Sequence, residues 1–117
     1  MTMKPSIGKQ GEQEAKVYLM KQGYDILCEN YNSRIGEIDL VAFNEDTLVF
    51  IEVKTRRSSK YGLPRESVTP YKQATIRKVA MIYIKHHRML KTKIRFDVIE
   101  VYQEKSPWRI HHIPNAF

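Results

Sequence analysis

Cysteine is nearly absent from this chain. Cys28 stands alone among 117 residues, which excludes an intrachain disulfide and any metal cluster built on several thiolates. A single thiol fits a reducing compartment. Long apolar runs are missing as well. The longest, 79–84, falls far short of the roughly 20 residues that a membrane-spanning helix needs. Residues 1–10 carry no apolar core of a signal peptide, so the expectation is a soluble, cytoplasmic protein without a membrane partner. Acidic residues are the minority: 13 Asp and Glu face 20 Lys and Arg, a net charge of +7. Such an excess favours a polyanionic partner, nucleic acid ahead of a membrane surface. Repeats, linkers and low-complexity segments do not occur. With 42% hydrophobic residues, residues 1–117 are expected to form one domain around one core.

What is present is organised around 36–57, GEIDLVAFNEDTLVFIEVKTRR. Residues 36–43 alternate, with Ile38, Leu40 and Ala42 on one side and Glu37, Asp39, Val41 and Phe43 on the other. Residues 47–55 alternate too, Val49, Ile51 and Val53 against Leu48, Phe50, Glu52 and Lys54. Residues 44–46 are polar turn material. A hairpin closing with Phe43 opposite Leu48 sets Val41 against Phe50, Asp39 against Glu52 and Glu37 against Lys54. One face is then wholly apolar, and the other carries three acids and a lysine at its far end. Opposed carboxylates repel, whereas a divalent cation between them reverses that sign. Oxygen ligands suit Mg²⁺, which takes one or two carboxylates and keeps sites for water or phosphate. Glu52 and Lys54, two apart, project the same way. An ammonium there can orient an attacking water and offset charge developing on a phosphate. A plain edge hairpin with a Glu52–Lys54 or Glu37–Lys54 surface pair is the competing reading.

An acid, a hairpin and then Glu-x-Lys resembles the PD-(D/E)XK nuclease superfamily. The resemblance implies that Asp39 and Glu52 hold a metal, Mg²⁺ or Mn²⁺, and that Lys54 serves the attacking water. Ile38 stands where that motif has a proline. The surrounding GEIDLVAF…LVFIEVKTRRS, the G-x-x-GE-x-x-A opening at 8–15 and the Asn-Ala-Phe ending at 115–117 are similar to the bacterial YraN-like family over nearly the whole chain. That family is related in sequence to archaeal Holliday-junction resolvases. The resemblance therefore implies phosphodiester hydrolysis on branched or structured DNA in repair or recombination. A two-fold homodimer would suit a symmetric branched substrate.

The flanking segments add candidates. Residues 8–22 read as a helix with Gly23 as its stop, and its stripe is Ala15, Tyr18, Leu19 and Gln22. Glu12 lies one turn before Ala15. Either it matches the extra helix-borne acid of related nucleases, or it complements the positive helix N-terminus. Residues 24–31 alternate as a first strand. Arg34, in the turn that follows, is expected near the mouth of the site. Arg56, Arg57, Lys60 and Tyr61 leave the Glu-x-Lys strand together; the cations suit backbone phosphates and Tyr61 suits stacking on an unpaired base. A merely polar loop is the competing reading. Thr69-Pro70 opens a second helix to about residue 86, its stripe formed by Ile76, Val79, Ala80, Tyr83 and Ile84. Gln73 faces inward near its start, either toward the water at Lys54 or the substrate, or as a buried amide satisfied by backbone. Residues 93–102 and 108–113 are further strands, with Trp108 a hydrophobic cover. His86-His87 and His111-His112 do not read as zinc sites, because adjacent residues point to different sides.

This order, αβββαβ with a terminal strand, predicts an α/β, restriction-endonuclease-like three-layer sandwich with a mixed sheet and helices on both faces. A Mg²⁺-dependent deoxyribonuclease is the first functional reading. A nucleic-acid-binding module without chemistry on the same fold is the second, and a protein-interaction factor is the third.

Overall fold

The computed structural model describes residues 5–57, 68–105 and 107–117. The elements run α1 (Ile7–Lys21), β1 (Asp25–Asn32), β2 (Glu37–Asn44), β3 (Thr47–Arg56), α2 (Pro70–His86), β4 (Lys93–Tyr102) and β5 (Arg109–Ile113). The five strands form one sheet in sequence order. Only the β3–β4 pair is parallel, and α2 supplies the crossover that a parallel pair requires. Among the described residues no helix is long and apolar enough to cross a membrane.

β3 sits in the middle, and Leu48–Glu52 is buried throughout, as befits a strand covered on both faces. Leu48 and Phe50 pack with Ile76, Val79, Ala80, Tyr83 and Ile84 of α2, joined by Phe96 and Val98 of β4. Val49 and Ile51 pack with Ala15 and Leu19 of α1, joined by Ile99 and Val101. The helices therefore cover opposite faces. The result is a mixed α/β sheet in three layers, compatible with the restriction-endonuclease-like sandwich. Trp108 packs against the α1-side cluster, as expected of a cover.

Both helices are capped. Thr69 Oγ1 accepts from Lys72 N (3.1 Å) with Pro70 in the first turn. α1 begins at Ile7, slightly before the expected start, because Ser6 Oγ accepts from Lys9 N (3.2 Å) and forms the N-cap.

The hairpin register is the expected one near the turn: Asn44–Thr47, Phe43–Leu48 and Val41–Phe50 are partners. Pairing ends at Leu40–Ile51, so the expected Asp39–Glu52 and Glu37–Lys54 ladder pairs do not form. The strict alternation expected in β2 also fails. Ile38 packs on the α2 side with Val41, whereas Leu40 and Ala42 pack on the α1 side. The face switch lies at Asp39. β1 switches with it: Asn30 adopts a left-handed conformation (φ 52°), which asparagine tolerates better than most residues, and the flanking pairs Glu29–Leu40 and Tyr31–Ile38 set it opposite Asp39. A second irregularity between Ile26 and Cys28 moves Cys28 to the α2 side, away from Ile26. The simple alternation expected through 24–31 is thereby broken.

Candidate metal and nucleic-acid site

The kink in β1 and β2 builds the site. Where β2 leaves the ladder, Asp39 Oδ2 accepts the Val53 N–H at 2.8 Å. A side chain thus replaces a strand carbonyl, and the carboxylate is fixed in the gap that opens between β2 and β3. From α1, Glu12 reaches the same gap. One carboxylate oxygen from each of Glu12, Glu37 and Asp39 lies within 4.8 Å of the other two. Asn30 Nδ2 donates to Glu12 Oε1 and to Glu37 Oε1, both at 3.0 Å. Lys9 Nζ donates to Asn30 Oδ1 (2.8 Å) and to Glu12 Oε1 (3.3 Å). Glu12 lies beyond the first turn of α1, which holds no acidic residue, so the helix-dipole reading of Glu12 is set aside in favour of this convergence.

Glycines let the elements come this close. A Cβ on Gly11 would overlap the Thr55 side chain, approaching Thr55 Cβ to 3.0 Å, and one on Gly36 would lie 2.8 Å from Thr75 Cγ2. The first close approach seats α1, and with it Glu12, on the end of β3; the second seats the β1–β2 loop on α2. Gly11→Ala should therefore lower the melting temperature, by the equivalent of about 1–3 kcal/mol of overpacking, although alanine is the better helix former. A thermal melt showing a more stable variant would refute this packing role.

Glu52 is 7% exposed and its Oε1 lies 3.7 Å from Lys72 Nζ in the first turn of α2. Lys54, two residues along β3, is half-buried. Among the described residues its ammonium makes no hydrogen bond or ion pair, which leaves its three N–H groups available to a ligand. The electrostatics follow from crowding. Burial first, and then the Glu52 charge, push Asp39 from the ordinary 3.8 to about 7; Glu12 and Glu37 add to the rise and the Val53 hydrogen bond opposes it. Burial also raises Glu52, against the lowering effects of Lys72 and then Lys54.

Other expected residues fall elsewhere. Gln73 Nε2 donates to the Val68 carbonyl at 2.9 Å, so its amide serves the backbone at the start of α2, the second of its two expected readings. Arg56 lies 3.7 Å from the buried Glu100, and Glu100 also meets His111 Nδ1 at 2.9 Å. Arg57 is exposed at the end of β3. Arg34 is exposed and lines a shallow cavity of about 550 Å³ with Tyr31, Ile35, Ile82 and His86. That cavity lies toward the far end of α2 from Lys72, not at the acidic cluster. Lys60 and Tyr61 lie outside the described residues. His111 and His112 point apart, His112 Nε2 meeting Asp97 at 2.7 Å.

Sequence reasoning missed Glu37 as a member of the acidic cluster, and it missed Asn30, Lys9 and the Lys72–Glu52 pair. Glu37 carried a signal, an acid two residues before Asp39. Asn30 carried none beyond its tolerance of left-handed backbone.

Residues 11–101 match the profile described as Uncharacterised protein family UPF0102. The chain belongs to the UPF0102 family. It is 44% identical over 115 residues to a UPF0102 protein of Syntrophomonas wolfei, covering 98% of this chain and 100% of the relative. A UPF0102 protein of Syntrophus aciditrophicus is 47% identical over 117 residues (100% and 92%). One of Trichlorobacter lovleyi is 50% identical over 114 residues (96% and 90%). This membership agrees with the YraN-like resemblance of the motif. Every residue of the acidic cluster falls inside the matched span.

Proposed function

We propose that this UPF0102 protein is a Mg²⁺-dependent deoxyribonuclease that hydrolyses phosphodiesters in structured or branched DNA. The observation that carries the reading is the gap at the β2–β3 splay. There a fixed Asp39 has its carboxyl pushed up to about 7, by burial first and then by the charges of Glu52, Glu12 and Glu37, with Lys54 on the adjoining strand. A cluster of mutually repelling carboxylates, with Asp39 and Glu52 withdrawn from solvent, suits a hard divalent cation. Asp39 and Glu52 would hold Mg²⁺ or Mn²⁺; the acids whose ligand atoms converge on Asp39 to within 4.8 Å are Glu12 and Glu37.

The bound ion would supply Lewis-acid stabilisation of the phosphate and a more acidic water. The protein's own residues do the remaining work. The Val53 N–H fixes Asp39. Asn30 and Lys9 set the orientation of Glu12. Lys54 offers N–H donors to the attacking water and to charge building on the phosphate oxygens. The exposed Arg57 continues from the same strand and suits the DNA backbone, as does the chain's net charge of +7. The preference for branched DNA is supported by the resemblance to Holliday-junction resolvases.

The test is a cleavage assay over single-stranded, duplex, flap and four-way DNA with Mg²⁺ or Mn²⁺. Cleavage that needs the metal, is fastest on branched substrates and is lost with Asp39→Ala is the expected result. Salt-sensitive binding of DNA without cleavage would favour the binding module instead.

A further inference from the structure

Lys72 stands at the unfavourable end of its helix. The first turn of α2 exposes N–H groups equivalent to roughly half a positive charge, and no acidic residue in that turn offsets it. A lysine placed there is repelled by its own helix. Its ammonium, 47% exposed, reaches from solvent to a carboxylate that is only 8% exposed, at 3.7 Å from Glu52 Oε1. That separation exceeds ordinary hydrogen-bond length, so the contact is mainly electrostatic and is readily replaced. Helix stability does not account for this lysine; the buried charge of Glu52 does.

We infer that Lys72 is the resident counter-ion of Glu52: it neutralises the carboxylate in the metal-free protein, yields to the divalent cation, and then pairs with a non-bridging oxygen of the DNA phosphate. The inference rests on the nuclease reading. An ammonium and a divalent ion on one carboxylate repel each other, so binding of the ion displaces the ammonium. Anchored through its helix, the ammonium stays beside the site, where the incoming phosphate is the available anion. A lysine suits this role because its flexible stem carries a compact point charge.

Two titrations separate this role from surface pairing. Mn²⁺ is titrated calorimetrically into the DNA-free parent protein, Lys72→Gln and Lys72→Arg, and the same three proteins are assayed on four-way DNA. Without its competitor, the Gln variant should bind Mn²⁺ about threefold more tightly, in keeping with a partly exposed ion pair. It should also cut at least about tenfold more slowly for want of one charged contact. The Arg variant should keep parent-like metal affinity and most of the cleavage. Unchanged or weaker Mn²⁺ binding by the Gln variant, or cleavage at the parent rate, overturns the role of Lys72 alone. A parent protein that neither binds Mn²⁺ nor cuts DNA overturns the nuclease reading itself, and this role with it.

Discussion

Lys54→Ala should cut DNA at least about a hundredfold more slowly than the parent protein while still taking up Mn²⁺. Asp39→Ala should lose both properties. The contrast follows from what each group can give. An ammonium has no lone pair for a metal, so Lys54 acts only through its charge and its N–H donors. Its ammonium makes no hydrogen bond or close ion pair among the described residues, and its charge acts on Glu52 of the same strand. Asp39 is fixed by the Val53 N–H at 2.8 Å, and its carboxyl is raised by burial and then by its acidic neighbours. Removing it takes away a ligand and relieves the repulsion that favours a cation. DNA affinity should change little in Lys54→Ala, because many other cations remain. Calorimetry with Mn²⁺ beside a cleavage assay reads both properties. Parent-rate cleavage by Lys54→Ala, or parent-like metal uptake by Asp39→Ala, would sink the assignment.

The elements legible in the sequence are those whose burial follows a fixed period. β3 alternates without interruption because both its faces are covered and its neighbours on either side are regular through Ile51. α2 announces itself by Thr69-Pro70 and by a stripe that the structure buries residue for residue. Legibility fails at the site, where side-chain chemistry overrides the period. Asp39 leaves the alternation because its carboxylate takes the place of a ladder acceptor, and Ile38 changes face as a consequence. Asn30 turns left-handed opposite it, which no propensity within 24–31 demanded. The Glu12–Glu37–Asn30 contacts join α1, β1 and β2, so they arise only once the strands have kinked. Lys72 and Glu52 are 20 residues apart in sequence and meet because the crossover returns α2 over the end of β3. The motif pointed to Asp39, Glu52 and Lys54; the residues that orient and neutralise them had to be read from the fold.

Asp39→Asn should make the metal-free protein more stable, not less. The Asp39 carboxyl titrates at about 7 in the folded chain against an ordinary 3.8, so folding favours its protonated form. For a carboxyl raised in this way, the favourable contribution is complete below pH 3.8 and is lost as pH rises to about 7, because the unfolded chain ionises freely and the folded one cannot. Above pH 7 the folded protein carries a buried, repelled charge. The displacement corresponds to at most about 4 kcal/mol, and on the order of 1–2 kcal/mol is the realistic gain after relaxation and solvent screening. Asparagine has nearly the same volume, keeps an oxygen to accept from Val53 N–H, and carries no charge. The melting temperature of the variant should therefore exceed that of the parent by roughly 4 °C per kcal/mol at pH 8. The advantage should shrink steadily below pH 7 and vanish near pH 4. Adding Mg²⁺ at pH 8 should close the gap from the other side, since the parent gains stability by binding the ion and the variant has lost a charged ligand. Melts at pH 4, 6 and 8, with and without Mg²⁺, make the measurement. A variant less stable than the parent at pH 8, or a gain that does not change with pH, would show that Asp39 is held for structure and not strained for the sake of a cation.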